Sequence, residues 1–469
     1  MTIPGPVLIL GIPVVISGVL YLLRRWTTAS AALGAVAAAL VGSLVSLIPL
    51  ESSLRLGSLS IKMGAPLIVL GRQLVLQPAD RLAISFLFFT TAGLFIVAWR
   101  LLPHSNFFPI GLMAVSLFAG ALLVEQVVYA ALLVEMAAVL TVFPLHESGG
   151  SASGGLRYMA YATLALPGLM ITQLLLDLFA IFPNDFGLLT TSAVLLNVSF
   201  AILFGAVPFQ SWLSTVATDG SPPVVTFIFT VNMATVWFML LDYLQTYAWL
   251  GRQVPLGTLF SGLGLLMMCV GGILAASQRR LGRLIGYATL VDNGAMLLAL
   301  GSGKVEGIAL AVLMLLARPL ALGLMTLGLQ GLRVIGKGED SREVMLGAGW
   351  RAPWRMVAFL VGGITLAGFP ISLGFAARWG LYRLIASEDL FLALLALMGS
   401  SGVMLGLVGA MRTLLTPVAD EVAAEPRPAE DRVVLALIGA LLVATLALGF
   451  SPNLPSRIAL QMAEWYTFF

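Results

Sequence analysis

The sequence predicts an all-α membrane protein with about fourteen transmembrane helices, and three observations predict it. Hydrophobic residues make up 59% of the 469 residues and charged residues 10%, against about 25% charged in an ordinary soluble domain. Mean hydropathy is +1.02, so the chain cannot cover its own surface with polar groups. The apolar residues also fall into about fourteen runs near the roughly 20 residues that a bilayer-spanning helix needs. A soluble enzyme, a disordered chain and a nucleic-acid binder are excluded. The net charge of +3 is too small to imply a polyanionic partner.

The runs lie at roughly 6–23, 29–49, 82–102, 107–123, 126–145, 157–182, 188–212, 223–246, 255–277, 282–301, 305–330, 355–383, 389–412 and 432–450. The first reads as a span and not a cleaved leader, because it lacks a basic start and Arg24 and Arg25 follow it. Between runs 2 and 3, Leu54 to Arg81 alternates loosely and carries Gly57, Gly64 and Gly71, which predicts an extended or hairpin segment on the membrane surface. Residues 1–106 thus form an N-terminal unit of three helices and a surface hairpin. Runs 7 and 12 carry Pro208 and Pro370 in their interiors. Proline removes a backbone donor, so both helices are expected to break, with the freed groups satisfied by protein or water. Runs 7 and 12 lie five apart, and paired broken helices at matching positions are the sign of a repeat-built transporter. This predicts one five-helix unit over 107–250 and a second over 251–414. Residues 415–469 follow as an acidic, proline-bearing loop, Pro417 to Asp431, and a last helix.

One cysteine, Cys269, excludes a disulfide framework and a cysteine-based metal site. The two histidines, His104 and His146, fall near helix ends, which argues against a haem-ligating pair. No cofactor is expected in this chain. Lysine is scarce: Lys62, Lys304 and Lys337 are the whole set, all in expected loops. Counted by loop, odd-numbered connections hold fifteen lysines and arginines and even-numbered ones seven. The positive-inside rule then puts the odd loops in the cytoplasm and both termini on the other side of the cell (inner) membrane.

Charged residues at membrane depth are costly, so each is a functional hypothesis. Glu135 sits in the middle of run 5, with Glu125 ten residues earlier near the turn from run 4. Asp292 sits in run 10 beside Asn293, Arg318 in run 11 and Arg378 in run 12. We read Glu135, Asp292, Arg318 and Arg378 as function-bearing, because four buried charges exceed what packing alone requires. Asp177 and Asp242 lie within reach of helix ends or interfaces and read as interhelical salt bridges.

These residues resemble a known family: the antiporter-like proton-channel subunits of complex I (NADH:quinone oxidoreductase), membrane-bound hydrogenases and multisubunit sodium/proton antiporters. Val207-Pro208-Phe209-Gln210-Ser211-Trp212-Leu213, then Ser221-Pro222-Pro223-Val224, resembles the family's Pro-Phe-His-x-Trp-Leu-Pro and Ala-Pro-x-Pro-Val. Arg283-Leu284-Ile285-Gly286-Tyr287-Ala288-Thr289 resembles its Arg-Leu-Leu-Ala-Tyr-Ser-Ser. Gly368-Phe369-Pro370 through Gly374-Phe375-Ala376-Ala377-Arg378 resembles its Gly-x-Pro…Gly-Phe-x-x-Lys, and Arg157-Tyr158 its Lys-Tyr. The pieces occur in order along nearly the whole chain.

The resemblance implies fourteen helices with inverted repeats at helices 4–8 and 9–13 and discontinuous helices 7 and 12. It implies a proton path carried by a helix 5 glutamate, here Glu135, and by lysines of helices 7, 8 and 12. Those lysine positions fall on Leu203, on or near Met233, and on Arg378; the helix 11 lysine falls on Arg318 and a helix 10 histidine on Asp292. A buried lysine can give up its proton; arginine stays charged, and leucine and methionine hold none. The chain is therefore expected to keep the architecture with its usual proton path lost or rerouted. Any protons that pass are assigned to Glu135, Asp292 and Glu125, with water near Pro208 and Pro370, and Arg318 and Arg378 set the local potential.

Three readings follow. The first is a non-catalytic membrane subunit of a complex-I-like or hydrogenase-like redox complex, coupled to proton or cation translocation. Its partners are other membrane subunits, the lipid bilayer and, indirectly, a soluble redox or hydrogenase module. The second is a subunit of a multisubunit cation/proton antiporter or a related inorganic-carbon uptake system. The third is a non-conducting scaffold for a soluble partner, docked on Arg279, Arg280, Arg283 and the basic stretch from Arg333 to Arg355; positive-inside bias and headgroup contact explain the same charges.

Overall fold

In a computed structural model the described residues are 2–51, 53–56, 59–69, 71–146, 151–417 and 430–468. Among them the chain is mostly helical, and twelve helices are long and apolar enough to cross a membrane. Two shorter apolar helices, Phe107–Leu123 and Pro353–Ala367, accompany them. Most of the expected acidic loop lies outside the described residues.

Strand β1 (Thr2–Pro4) leads into α1 (Gly5–Leu22) and α2 (Thr27–Leu47). Pro6 at the start of α1 suits a first turn, whose N–H groups have no helical partner. The surface segment is more ordered than an irregular loop. Strands β2 (Ser53–Leu56) and β3 (Leu59–Lys62) pair antiparallel, and β1 adds to β3 in parallel, with Thr2 opposite Ser60. Strands β4 (Leu67–Val69) and β5 (Arg72–Leu74) form a second hairpin. Helix α3 (Pro78–Ala98) opens on a capping box between Gln77 and Asp80, which satisfies two otherwise orphaned donors. Arg81 closes the other side by donating to the last carbonyls of α2, Val45 at 2.7 Å and Ser46 at 2.5 Å.

The first five-helix unit runs through α4 (Phe107–Leu123), α5 (Val127–His146), α6 (Ser153–Ile181), the broken pair α7 (Phe186–Leu203) and α8 (Ser211–Asp219), and a last span. The break falls where proline placed it. Gly205 adopts φ +65°, a conformation that favours glycine, and Pro208 removes a donor three residues before α8 begins. The last span is α9 (Pro222–Phe227), a π-helical turn over Ile228–Asn232, and α10 (Met233–Thr246). A π turn inside a helix commonly marks a functional site.

A short turn, α11 (Leu250–Gln253), leads to the second unit: α12 (Leu256–Ala276), α13 (Leu281–Gly301), α14 (Val305–Ile335), a short α15 (Ala348–Arg351), the broken pair α16 (Pro353–Ala367) and α17 (Leu373–Ala386), and α18 (Leu390–Leu415). Gly368 ends α16 at φ +73°. A Cβ there would lie 1.9 Å from Cγ of Arg378, so glycine is what lets the arginine stem pass against the break. Glycine also brings helices together: a Cβ on Gly264 would meet the backbone of Gly294 at 2.5 Å, and one on Gly272 that of Gly399 at 2.3 Å. Small residues at such crossings let membrane helices pack backbone to backbone. After α19 (Arg432–Phe450), a short helix α20 (Asn453–Ala463), not expected from the sequence, packs on α14. The chain then reaches α10, where the Thr467 amide donates to the Gln245 side chain at 2.8 Å.

Candidate functional site

Three of the four charges assigned a role meet at one place. Asp292 on α13, Arg318 on α14 and Arg378 on α17 form a buried ion cluster. Arg318 donates to Asp292 Oδ2 from Nε at 2.8 Å and from Nη2 at 2.6 Å. Arg378 Nη2 donates to Asp292 Oδ1 at 2.8 Å. The two arginines are each 1% exposed and Asp292 3%. Two cations and one anion leave a formal charge of +1 inside the bundle, and Arg378 Nη1 has no hydrogen-bond partner among the described residues. A gap of about 10 Å³ beside the cluster, walled by Asp292, Arg318, Arg378 and Thr365, is about the volume one water needs.

The cluster also joins the two broken helices. Arg378 stands on the half-helix that follows the second break. Asn293, next to Asp292, accepts from Arg318 Nη2 at 2.7 Å and donates from Nδ2 to the carbonyl of Phe204 at 3.0 Å, where α7 stops. Arg318 Nη1 lies 3.4 Å from the carbonyl of Phe229 in the π turn. Backbone groups freed by the break and by the π turn thus find buried side-chain partners, as they must in a membrane interior. Chemically the arrangement is a fixed charge: each oxygen of Asp292 already accepts a charged N–H, and arginine does not release its proton in proteins.

Glu135 lies elsewhere. It is half-buried on α5, and no hydrogen bond or ion pair reaches it among the described residues. It borders a second gap of about 10 Å³ together with Leu203, Leu166 and Met239. Leu203, a position where the resemblance implies a lysine, thus faces Glu135 with an apolar side chain. Met233, the other such position, is buried and receives N–H groups from Asn293 at 3.4 Å and Arg318 at 3.6 Å. Glu125 is exposed and lies at the helix ends, away from the gap beside Glu135.

The expectation that Asp177 and Asp242 form salt bridges is corrected. Asp177 is exposed and accepts from the Gln173 amide at 2.9 Å; Asp242 accepts from the Tyr466 hydroxyl at 3.1 Å. Neither has a basic partner among the described residues. Asp242 lies one helix turn from the end of α10, where a tyrosine from the chain's far end reaches it and no cation does. One buried charge escaped sequence reasoning and another was assigned to a surface. Asp80, 5% exposed, was read as part of a surface segment, although Gln77-Pro78-x-Asp80 is a helix-start signal. Arg333 is the other. It pairs with Asp340 at 2.7 Å and donates to the carbonyls of Ala217, Thr218 and Gly220 at 2.9–3.0 Å, which closes the C-terminus of α8 with a positive charge. It lines a cavity of about 750 Å³ with His104, Asp219 and Arg280. Arg355 is also buried and donates to Leu327 at 2.9 Å. Both arginines therefore leave the docking surface proposed from sequence, while Arg279, Arg280 and Arg283 stay exposed.

The chain is 27% identical over 270 residues to NADH-quinone oxidoreductase subunit N of Xanthomonas euvesicatoria pv. vesicatoria (strain 85-10), covering 57% of this chain and 55% of that one. It is 31% identical over 199 residues to formate hydrogenlyase subunit 3 of Escherichia coli (strain K12), covering 40% of this chain and 32% of that one. The chain thus spans about half the length of the first of these relatives and a third of the second. A chain of the Mrp complex from Dietzia sp. DQ12-45-1b shares the fold, with a TM-score of 0.76 at 16% identity over 98% of this chain and 97% of that one. The family model described as "NADH:quinone oxidoreductase/Mrp antiporter, TM" matches residues 157–405. That stretch holds both helix breaks and the whole Arg318–Asp292–Arg378 cluster, and a chain matched over more than half its length in this way belongs to the NADH:quinone oxidoreductase/Mrp antiporter transmembrane family.

Proposed function

We propose that this multi-pass membrane protein is the antiporter-like subunit of a redox-driven complex of the complex I or membrane-hydrogenase kind, and that its own centre acts as a fixed-charge element. The observation that carries this is the Arg318–Asp292–Arg378 cluster, which holds a permanent charge at the meeting point of both helix breaks. With Leu203 and Met233 at the two lysine positions of the first unit, no hydrogen bond or ion pair links Glu135 to the cluster among the described residues. The usual relay is therefore absent, and the chain contributes electrostatics and structure to translocation carried by its neighbours. Redox cofactors would sit in those neighbours, and a soluble module would couple indirectly.

In this reading the two five-helix units, α4–α10 and α12–α18, are inverted repeats, and the two shorter apolar helices also cross the membrane, which makes fourteen crossings. The arginine and lysine count puts the odd-numbered connections in the cytoplasm. The face that carries both described chain ends, β1 on β3 and Thr467 on Gln245, is then the outer one. The exposed Arg279, Arg280 and Arg283 are available to anionic headgroups.

The test is identification of what co-purifies from native membranes in mild detergent. Iron–sulfur or nickel-site proteins with a quinone-site subunit support the reading. The runner-up, a multisubunit cation/proton antiporter, draws on the near-complete structural match to the Dietzia chain, and recovery of small membrane subunits alone would favour it. Recovery of the chain by itself would remove both and leave a scaffold.

A further inference from the structure

A cavity of about 210 Å³ opens at the face that carries the chain ends, separate from the central cluster. Its titratable lining is Asp80 from α3, Glu125 from the α4–α5 turn, Asp242 and Tyr243 from α10, and Tyr466 from the C-terminal segment, while α4 and α5 line it with apolar side chains. No arginine, lysine or histidine lines it among the described residues. Arg81, next to Asp80 in the chain, is spent on the end of α2. Asp80 and Asp242 line the same confined space from two different helices. Each has one recorded hydrogen-bond donor: the Gln77 amide at 3.2 Å on Asp80 and the Tyr466 hydroxyl at 3.1 Å on Asp242. Two carboxylates in a confined space with no cation cannot both stay ionised cheaply.

A second observation points to an occupant. Tyr243, 1% exposed, lines the same cavity, and its hydroxyl has no hydrogen-bond partner among the described residues. A buried hydroxyl left unpaired calls for water, and the cavity has room for several molecules. Tyr466 covers the site at 2% exposure. Met239 lines both this cavity and the gap beside Glu135, so an apolar thioether forms the inner wall.

We propose that this cavity is a one-sided proton-binding site, in which Asp80 and Asp242 share a single proton taken from water at that face, with Tyr466 as a positioning residue that holds Asp242. The proton leaves a hydronium, which becomes water, and joins one carboxylate oxygen. No electron moves. The site does not depend on which complex the chain joins.

The test is infrared difference spectroscopy of the purified full-length chain in lipid nanodiscs at neutral pH. A protonated carboxyl group gives a carbonyl band that carboxylates lack. The wild type should show that band, and Asp80→Asn and Asp242→Asn should each abolish or shift it, because either substitution removes one of the two carboxyl groups that share the proton. Tyr466→Phe should keep the band at a shifted frequency, since it removes only the donor. Glu135→Gln serves as the control for a protonated acid elsewhere, and Asp242→Glu, which keeps the chemistry, should retain the band if Asp242→Asn fails to fold. A spectrum without the band, a band untouched by both asparagine variants, or its loss on adding sodium at fixed pH would overturn the proposal. Co-purification with antiporter subunits alone would displace the redox reading and leave this result standing.

Discussion

Asp292 accepts three charged N–H groups from two arginines, and the order in which those side chains matter follows from charge arithmetic. Removing Arg378 leaves a neutral Arg318–Asp292 pair, whereas removing Asp292 leaves two guanidinium groups facing each other in the bundle. Breaking a buried ion pair by deleting one partner costs about 3–5 kcal/mol. We expect Arg378→Ala to lower the yield and melting temperature of the intact assembly, and Asp292→Ala to lower them further. Wild-type yield and coupling in Arg378→Ala would remove the arginine from the site. Glu135 belongs to the same scale. With Leu203 opposite it, Glu135→Gln should leave proton flux through the reconstituted assembly unchanged; a flux abolished by that substitution would restore the ordinary path. The cluster was half legible in sequence. Asp292, Arg318 and Arg378 each stood out as charges in apolar runs, but their pairing joins residues 26 and 86 positions apart, which no local pattern encodes. Asp80 was missed for the opposite reason: it sits at a helix start, where an acid is ordinary.

At the scale of elements, the broken helices were readable because proline and glycine act through the backbone alone. Pro208 and Pro370 each fall in the gap between two half-helices. What the breaks hold was not readable, since it depends on side chains from other helices. Gly368 is the point where the two meet. Its positive φ and the Arg378 stem both exclude a side chain, so Gly368→Ala should cost at least the roughly 1–3 kcal/mol of a strained backbone residue and displace Arg378 from Asp292. A melting-temperature comparison with the neighbouring Ala367→Gly would show it; equal stability of Gly368→Ala and wild type would contradict the close packing. The amphipathic helix α20 escaped notice because eleven residues cannot span a bilayer. It also brings Tyr466 to Asp242. Burial first, and the charges of Asp242 and Asp80 after it, raise the Tyr466 hydroxyl well above the usual phenol range, so it should stay a donor to Asp242 through neutral and mildly alkaline pH. Ultraviolet titration should show no phenolate from Tyr466, by comparison with Tyr466→Phe, until well above pH 10.

At the scale of the whole molecule, the architecture divides labour between two faces and a centre. One face carries the acid-lined cavity, the other the larger cavity beside Arg333, and between them stands a charge that does not switch. A subunit of this kind is expected to matter to its assembly in a particular way. Deleting the chain should abolish assembly, whereas conservative changes in its cavities should alter pH response with the complex intact, as native gel mass and turnover measured across pH would separate. The parallel pairing of β1 with β3 has a consequence for biogenesis. Residues 2–4 find their partners at 60–62, beyond two membrane helices, so their hydrogen bonds cannot form until both helices have been threaded into the bilayer as a hairpin. Until then that stretch remains open to a protease on its side of the membrane. Afterwards it is a strand in a sheet, and its protection reports that the first stage of insertion is complete.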